Sequence, residues 1–260
     1  MRILGDDDMS YFNYQGKKIF YEDIGSGQPL LLLHGNTASS RMFTTVVPLL
    51  ADKYRVIIMD FLGCGKSERI EKWPEDLWYQ WSEQAVALCD YLGLKNINII
   101  GCSGGALVAI NIALSHDDIV CSVIADSFEG IKADKSLTEQ IQIGRNYAKQ
   151  NENFCSMLQM MHGDDWERVL DADTEAVISH AEHIENFFHF PISNLKRKIL
   201  LTGSAEDEMF PDGHYERLFE MICSETPYAS KYIFEHGGHP AIMSNIKDFI
   251  TLCDSFFAEN

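Results

Sequence analysis

The chain has 260 residues, of which 46% are hydrophobic, and this is enough for one large domain with a buried core. Its 39 acidic residues outnumber its 21 lysines and arginines, which gives a formal net charge of −18. Such a charge repels nucleic acids and anionic membrane surfaces, so neither is expected as a partner.

The cysteines and the N-terminus both indicate a cytoplasmic protein. Seven cysteines are scattered along the chain without a C-x-x-C pair, which is typical of reduced thiols. No apolar run approaches the roughly 20 residues that span a bilayer. The chain opens with MRILGDDDMS, which lacks the basic and hydrophobic parts of a signal peptide. The first eight residues stand apart from the pattern that follows, so Met9 is a candidate natural start.

Short apolar runs alternate with longer helical stretches through most of the chain. Two β-rich runs around Gln15-Gly16 predict an antiparallel hairpin. Six further runs have the length of buried parallel strands: Leu30 to Leu33, Arg55 to Asp60, Asn96 to Ile100, Ile119 to Ala125, Lys198 to Thr202 and Lys231 to Glu235. This alternation predicts a doubly wound α/β sheet. Apolar residues at helical spacing after Ile246 predict a closing amphipathic helix.

The stretch 127–194 contains helical periodicity and no convincing strand. We therefore expect an α/β core formed by residues 9–126 and 195–260, with 127–194 inserted as a helical cap. Nine large apolar side chains in this stretch fit either a lid over an apolar pocket or simple packing of the cap on the sheet: Phe154, Met157, Leu158, Met160, Met161, Trp166, Phe187, Phe188 and Phe190.

The sharpest chemical signal is the G-x-S-x-G sequence around Ser103. It lies directly after the strand-like NINII and before the helix-like ALVAINIALS. A serine exposed at a tight turn between strand and helix needs small neighbours because the backbone there is strained. Cys102 could suggest a thiol mechanism, but adjacent side chains in such a turn point in different directions and Ser103 holds the motif position.

Four motifs in order resemble those of the α/β-hydrolase superfamily, from about Tyr11 to the C-terminus. They are His34-Gly35-Asn36 after a strand, the D-x-x-G-x-G-x-S loop from Asp60 to Ser67, the Ser103 turn, and Gly237-Gly238-His239-Pro240. The resemblance implies an α/β-hydrolase fold with a mostly parallel eight-stranded sheet, flanking helices and an inserted helical cap. It also implies a serine nucleophile at Ser103.

A serine hydroxyl needs a base to accept its proton, and the base needs a carboxylate that fixes its tautomer. The resemblance implies that His239 is the base and that the acid follows the strand ILLTG. Asp207 is favoured by its distance from Pro211, Glu206 is the alternative by its distance from Gly203, and Asp126 is a third candidate.

Acyl transfer also needs donors for the oxyanion. The resemblance assigns this role to the backbone N–H groups of Asn36 and Gly104. The Asn36 side chain could face the pocket or stabilise the turn. No cofactor and no metal is implied.

Two other patterns are given structural interpretations. The Gly65-Lys66-Ser67 sequence lacks the first glycine of a phosphate-binding loop, since Asp60 occupies that position. We interpret it as a structural turn near the active site. A metal-like group is better explained as a solvated cap helix: His180, Glu182, His183, Glu185 and His189.

The sequence therefore predicts a serine hydrolase that cleaves a carboxylic ester or related small acyl compound through an acyl-enzyme. Three rivals stay open: an aminopeptidase of the proline-iminopeptidase kind, a carbon–carbon bond hydrolase, and a non-catalytic small-molecule receptor. The aminopeptidase would need carboxylates in the cap to hold an ammonium group, and candidates exist: Glu152, Asp164, Asp165 and Glu167. Dehalogenase and epoxide hydrolase chemistry are disfavoured because those relatives place Asp at the nucleophile position.

Overall fold

A computed structural model describes residues 10–258, so Met9 and the question of the natural start lie outside the described part. Eight strands form one sheet: β1 (Ser10–Tyr14), β2 (Lys17–Gly25), β3 (Gln28–Leu33), β4 (Tyr54–Met59), β5 (Ile97–Cys102), β6 (Val120–Asp126), β7 (Lys198–Ser204) and β8 (Ala229–Phe234). Their order in the sheet is β1-β2-β4-β3-β5-β6-β7-β8.

The predicted hairpin and the predicted parallel strands are both present. Strands β1 and β2 pair antiparallel with Tyr14 opposite Lys17, so the turn consists of Gln15 and Gly16, which both have positive φ angles. Strand β2 also pairs antiparallel with β4. The six strands β4, β3, β5, β6, β7 and β8, in their order across the sheet, are parallel to one another. The predicted fold class, a mostly parallel eight-stranded α/β-hydrolase sheet, is confirmed.

Nine helices accompany the sheet within residues 10–258, besides 3-10 turns at Ser40–Thr45 and Ile192–Asn194. They are α1 (Val47–Leu50), α2 (Leu77–Tyr91), α3 (Gly104–Ser115), α4 (Lys135–Ala148), α5 (Glu152–His162), α6 (Trp166–His183), α7 (His214–Glu225), α8 (Ala241–Ser244) and α9 (Ile246–Ala258). Helices α4, α5 and α6 lie between β6 and β7 in the chain, and together we call them the insert helices.

The central strands are largely apolar because both faces of the sheet are covered. In β3, Leu31 and Leu33 pack into one core cluster, which includes residues of α2, α3 and α7. Leu30 and Leu32 point to the opposite face and pack with residues of α1, α8 and α9. The unbroken run of leucines is thus the pattern of a strand buried on two sides.

No helix within residues 10–258 is long and apolar enough to cross a membrane. The seven cysteines all fall in this range, and none forms a disulfide.

Candidate active site

Ser103 occupies a strained turn between β5 and α3. Its backbone has φ 54° and ψ −127°, a conformation that a residue with a side chain rarely adopts. The two motif glycines allow it, because a Cβ on Gly101 would lie 2.0 Å from the carbonyl oxygen of Gly105. A Cβ on Gly105 would in turn lie 2.2 Å from the Leu33 carbonyl oxygen. The G-x-S-x-G spacing is therefore a packing requirement of this turn.

Cys102 precedes Ser103 but points away from the site. Its side chain is fully buried, and its Sγ lies 3.7 Å from the carbonyl oxygen of Leu33. Burial raises the pKa of the Cys102 thiol well above its ordinary value. The neighbouring thiol is therefore sequestered as an uncharged group, while Ser103 lines a cavity.

His239 and Asp207 are brought together by the loops that follow β8 and β7. The His239 Nδ1 atom lies 2.8 Å from Asp207 Oδ2, and the two side chains are 11% and 2% exposed. Burial by itself raises the pKa of Asp207, but hydrogen bonds from His239, Tyr215 and the Met209 N–H outweigh it and lower the pKa. Asp207 is therefore an ionised acceptor, and the proton of a neutral His239 imidazole lies on Nδ1.

The two alternative acids have other partners. Glu206 accepts hydrogen bonds from the exposed His236 ring, at 3.0 Å, and from the Gly237 N–H. Asp126 is fully buried and accepts bonds from the Thr202 and Ser127 hydroxyls and from the Ile242 N–H. Burial raises the pKa of Asp126 to about 6. Of the three candidates, Asp207 is the one hydrogen-bonded to His239.

The turn formed by Asn36 and Thr37 lies next to Ser103. The approach is so close that a Cβ on Gly35 would be 2.8 Å from the Ser103 Cβ. The Asn36 amide is bonded at both ends: its Oδ1 accepts from the Trp78 indole N–H at 3.0 Å, and its Nδ2 donates to Asp173. Gly104 is the first residue of α3, whose N-terminus favours nearby negative charge. We call residues 36–37 the oxyanion turn, after the role that the family resemblance predicts for Asn36.

One cavity of about 490 Å³ joins these groups. Ser103, His239, Asn36 and Gly104 all line it. Apolar side chains form much of the remaining wall: Trp78, Leu107, Leu137, Ile141, Ala148, Phe154, Val177, Met209 and Phe210. The site thus combines a serine and a histidine–carboxylate pair with an apolar chamber.

The insert helices contribute to the wall mainly through α4. Of the nine apolar residues that the sequence analysis selected, Phe154 lines the cavity. Leu158 and Phe187 are buried by packing, whereas Met157 and Met160 are exposed. The α4 residues Leu137 and Ile141 have no motif to mark them, because their role depends on how α4 lies over the sheet.

The four cap carboxylates proposed for an ammonium group are located elsewhere. Asp165 pairs with Arg69 at 2.9 Å, and Asp164 accepts a bond from Gln159. Among the described residues, the acidic side chains that line the cavity are Glu129 and Glu208. Glu129 accepts a bond from the Asp134 N–H, and burial raises its pKa to about 7.

The Asp60 loop is a structural turn beside the site. Asp60 is buried and accepts hydrogen bonds from the backbone N–H groups of Ser40 at 2.6 Å and Lys66 at 2.7 Å. A Cβ on Gly65 would lie 2.0 Å from an Asp60 carboxylate oxygen. The loop therefore folds around the carboxylate of its own first residue.

The histidines of the metal-like pattern have separate surroundings. The His180 ring contacts Trp78 and Phe187, and its Nδ1 lies 3.1 Å from the Glu75 carbonyl oxygen. His189 stacks on Tyr79 and contacts Asp76 instead.

Three side chains near the site were not predicted from the sequence. Tyr215 donates to Asp207 at 2.6 Å, and both burial and the Asp207 charge raise the pKa of this phenol. Asp173 and His162 of the insert helices both contact the oxyanion turn. No local pattern distinguishes these residues, because each lies on a helix whose contacts with the site depend on the tertiary fold.

Comparison with known proteins agrees with this architecture. The alpha/beta hydrolase fold family matches residues 28–154. The chain is 23% identical to the 2-hydroxy-6-oxo-6-(2'-aminophenyl)hexa-2,4-dienoic acid hydrolase of Metapseudomonas resinovorans, over 95% of this chain and 90% of that protein.

Solved structures share the fold over almost the whole chain. A serine hydrolase involved in carbazole degradation superposes with a TM-score of 0.76 at 21% identity, covering 97% of this chain and 99% of that one. A thermophilic esterase from Thermogutta terrifontis gives 0.76 at 19% identity, with coverage of 96% and 97%. The chain therefore has the α/β-hydrolase fold, and its residues 28–154 match the family of that name.

Proposed function

We propose that the protein is a serine hydrolase that cleaves a carboxylic ester or a related small acyl compound. The observation that carries this proposal is the buried Asp207–His239 pair, with 2.8 Å between Oδ2 and Nδ1, beside a cavity that Ser103 also lines. In this proposal Ser103 is the nucleophile, His239 the general base and Asp207 the carboxylate that orients it.

The tautomer of His239 supports this assignment of roles. Because ionised Asp207 accepts a hydrogen bond from the Nδ1–H group of His239, Nε2 is left with a lone pair that can take the proton of Ser103 Oγ. Oγ then forms a bond to the acyl carbon, and the resulting imidazolium returns the proton to the departing alcohol. Water attacks the acyl-enzyme in the same way, which releases the acid and regenerates Ser103.

The oxyanion of each tetrahedral intermediate would be held by the backbone N–H groups of Gly104 and Asn36. Gly104 starts α3, so the dipole of this helix adds to the stabilisation. One such donor accounts for about 10²- to 10³-fold in rate in related chemistry.

The charges in the cavity favour a neutral, largely apolar substrate. Arg145 lies 2.8 Å from the buried Asp173, so its charge is matched within the protein. The raised pKa of Glu129 keeps part of its population uncharged near neutral pH, and Glu208 is exposed to water. We therefore propose that the insert, residues 127–194, is a cap that sizes an apolar acyl group.

The test combines covalent labelling with turnover. After exposure to a fluorophosphonate, we expect mass spectrometry to find one adduct on Ser103, and none at that position in Ser103→Ala. Ser255→Ala, on the exposed face of α9, is the matched control and should label like the wild type. Turnover of p-nitrophenyl esters of increasing chain length then sizes the pocket. A folded wild-type protein that takes no adduct would contradict the proposal and favour the small-molecule receptor.

Hydrolysis of a carbon–carbon bond is the second candidate. It is favoured by the similarity, along 95% of the chain, to the hydrolase of Metapseudomonas resinovorans that is named for a hexa-2,4-dienoic acid. The loss of visible absorbance of such a dienoate, measured beside the ester assay, separates the two reactions. A higher kcat/KM for the dienoate than for every ester would replace the ester proposal.

The aminopeptidase alternative loses its original support. All four cap carboxylates lie within the described residues, and none of them lines the cavity. Proline p-nitroanilide is the matching assay, and we expect slower turnover of it than of the best ester. The reaction as written uses neither a cofactor nor a macromolecular partner, and we propose the cytoplasm as its location.

A further inference from the structure

The oxyanion turn is strained. Thr37 has a φ of 57°, in the left-handed region that β-branched residues avoid. Such a conformation costs about 1–3 kcal/mol and persists only where the surroundings impose it. The contacts that hold Asn36 and Thr37 therefore fix the conformation of the turn that carries the Asn36 N–H.

Side chains of the insert helices hold this turn from two directions. Asp173 of α6 accepts from the Thr37 N–H at 3.2 Å and from Asn36 Nδ2 at 2.9 Å, both through Oδ2. His162 of α5 lies 3.1 Å from the Thr37 carbonyl oxygen through Nε2. The Gly65 N–H donates to His162 Nδ1, so the ring proton is on Nε2 and is donated to Thr37.

Asp173 is fully buried, and Arg145 lies close enough to match its charge. Arg145 of α4 places Nη1 2.8 Å from Asp173 Oδ1, and the same nitrogen donates to Thr174 Oγ1 at 2.9 Å. Hydrogen bonds to an ionised carboxylate are about twice as strong as neutral ones. The pair therefore gives the oxyanion turn a strong acceptor without leaving an unmatched charge in the interior.

We infer that Asp173 is a positioning residue for catalysis: it holds the oxyanion turn so that the Asn36 N–H is aimed at the developing oxyanion. This inference rests on the proposed function. Asp173 is fully buried and acts through Asn36 and Thr37. One oxyanion donor, Gly104, is thus supported by the sheet core, and the other is supported by the insert.

The decisive comparison is Asp173→Asn with Asp171→Asn. Both carboxylates lie on α6, but Asp171 is 58% exposed and pairs with Lys149. We expect Asp173→Asn to lower kcat for a short p-nitrophenyl ester about 100-fold, as for the loss of one oxyanion donor, with KM nearly unchanged. Rates are taken per active site titrated with the fluorophosphonate, so that loss of folded protein does not count. Asp171→Asn should match the wild type.

A second variant separates positioning from charge matching. Asp173→Asn leaves Arg145 without its partner, whereas Asp173→Asn combined with Arg145→Gln removes both charges. We expect the double variant to regain thermal stability but to keep the low kcat per titrated site. A double variant with the wild-type kcat would show that Asp173 only neutralises Arg145 and would overturn the inference.

Other outcomes are equally distinct. Wild-type kcat per titrated site in Asp173→Asn would overturn the inference while leaving the proposed function intact. A wild-type protein without any adduct on Ser103 would refute the proposed function, and the positioning role would fall with it.

Discussion

Helices α3 and α4 both line the same cavity, but they are packed very differently. Residues Gly104 through Ala113 of α3, the helix that follows Ser103, are all buried. In α4 the buried residue is Thr138, and the side chains of Ile143 and Tyr147 are 69% and 76% exposed. The proposed reacting groups are thus supported by the tightly packed core, whereas much of the substrate wall belongs to a helix that can change sequence at little cost in stability.

The largest effect is expected for a substitution in the core, at Asp207. We expect Asp207→Asn to lower kcat about 10⁴-fold, since an amide no longer holds the Nδ1–H tautomer of His239. The control is Glu206→Gln, which removes the adjacent carboxylate that bonds to the exposed His236 ring, and its kcat should stay at the wild-type value. Steady-state ester kinetics compare the two. A larger loss in Glu206→Gln would transfer the role of triad acid to Glu206.

The contribution of the insert helices to the substrate pocket is tested at Gly144, a residue of α4 that lines the cavity. A Cβ built on Gly144 meets no atom within 4 Å, so a larger side chain has room to project into the chamber. We expect Gly144→Leu to lower kcat/KM for the longest accepted ester about 10-fold or more relative to the acetate. The measurement is the chain-length profile of p-nitrophenyl esters.

Gly144→Ala is the matched control. It should keep the profile and stabilise α4 by up to about 1 kcal/mol, because alanine is the better helix former. An unchanged profile in Gly144→Leu would mean that α4 does not size the substrate.

The smallest expected effect is the pH response of the contact between insert and core. Burial lowers the pKa of His162 below its ordinary value of 6.5. As the pH falls through 6.5, the unfolded chain binds a proton that the folded protein refuses, so the free energy of unfolding decreases. We expect His162→Gln to remove about 1 kcal/mol of the decrease between pH 7.5 and 5.5, as measured by urea denaturation. Equal decreases in both proteins would contradict a neutral His162.

Much of the sheet could be predicted from the sequence because strand signals are local. Apolar runs bounded by turn residues located every strand to within about two residues, as with Arg55 to Asp60 against Tyr54–Met59. The order of the strands depends on long-range pairing and was not predicted; the family resemblance implied only their number and mostly parallel direction.

The candidate site divides in the same way. Ser103 and His239 stand in motifs because their turns require glycine neighbours. The contacts of Asp207 and Glu206 differ because one side chain turns inward and the other toward solvent, which adjacent acidic residues do not reveal in sequence. Asp173 was invisible for a related reason: it is one acidic residue among several on α6, and only the tertiary fold brings it to Asn36.

The junction of the insert with the sheet has a consequence for engineering. Strands β6 and β7 are parallel neighbours, so the insert carries the chain from the C-terminal end of β6 back to the N-terminal end of β7. An insert of another length or sequence that makes the same crossover can be grafted here without altering any pairing of strands. A graft chosen only for the shape of its pocket would nevertheless omit the acceptor for the Thr37 N–H. Chimeras on this scaffold should carry an equivalent of Asp173 with its Arg145 partner.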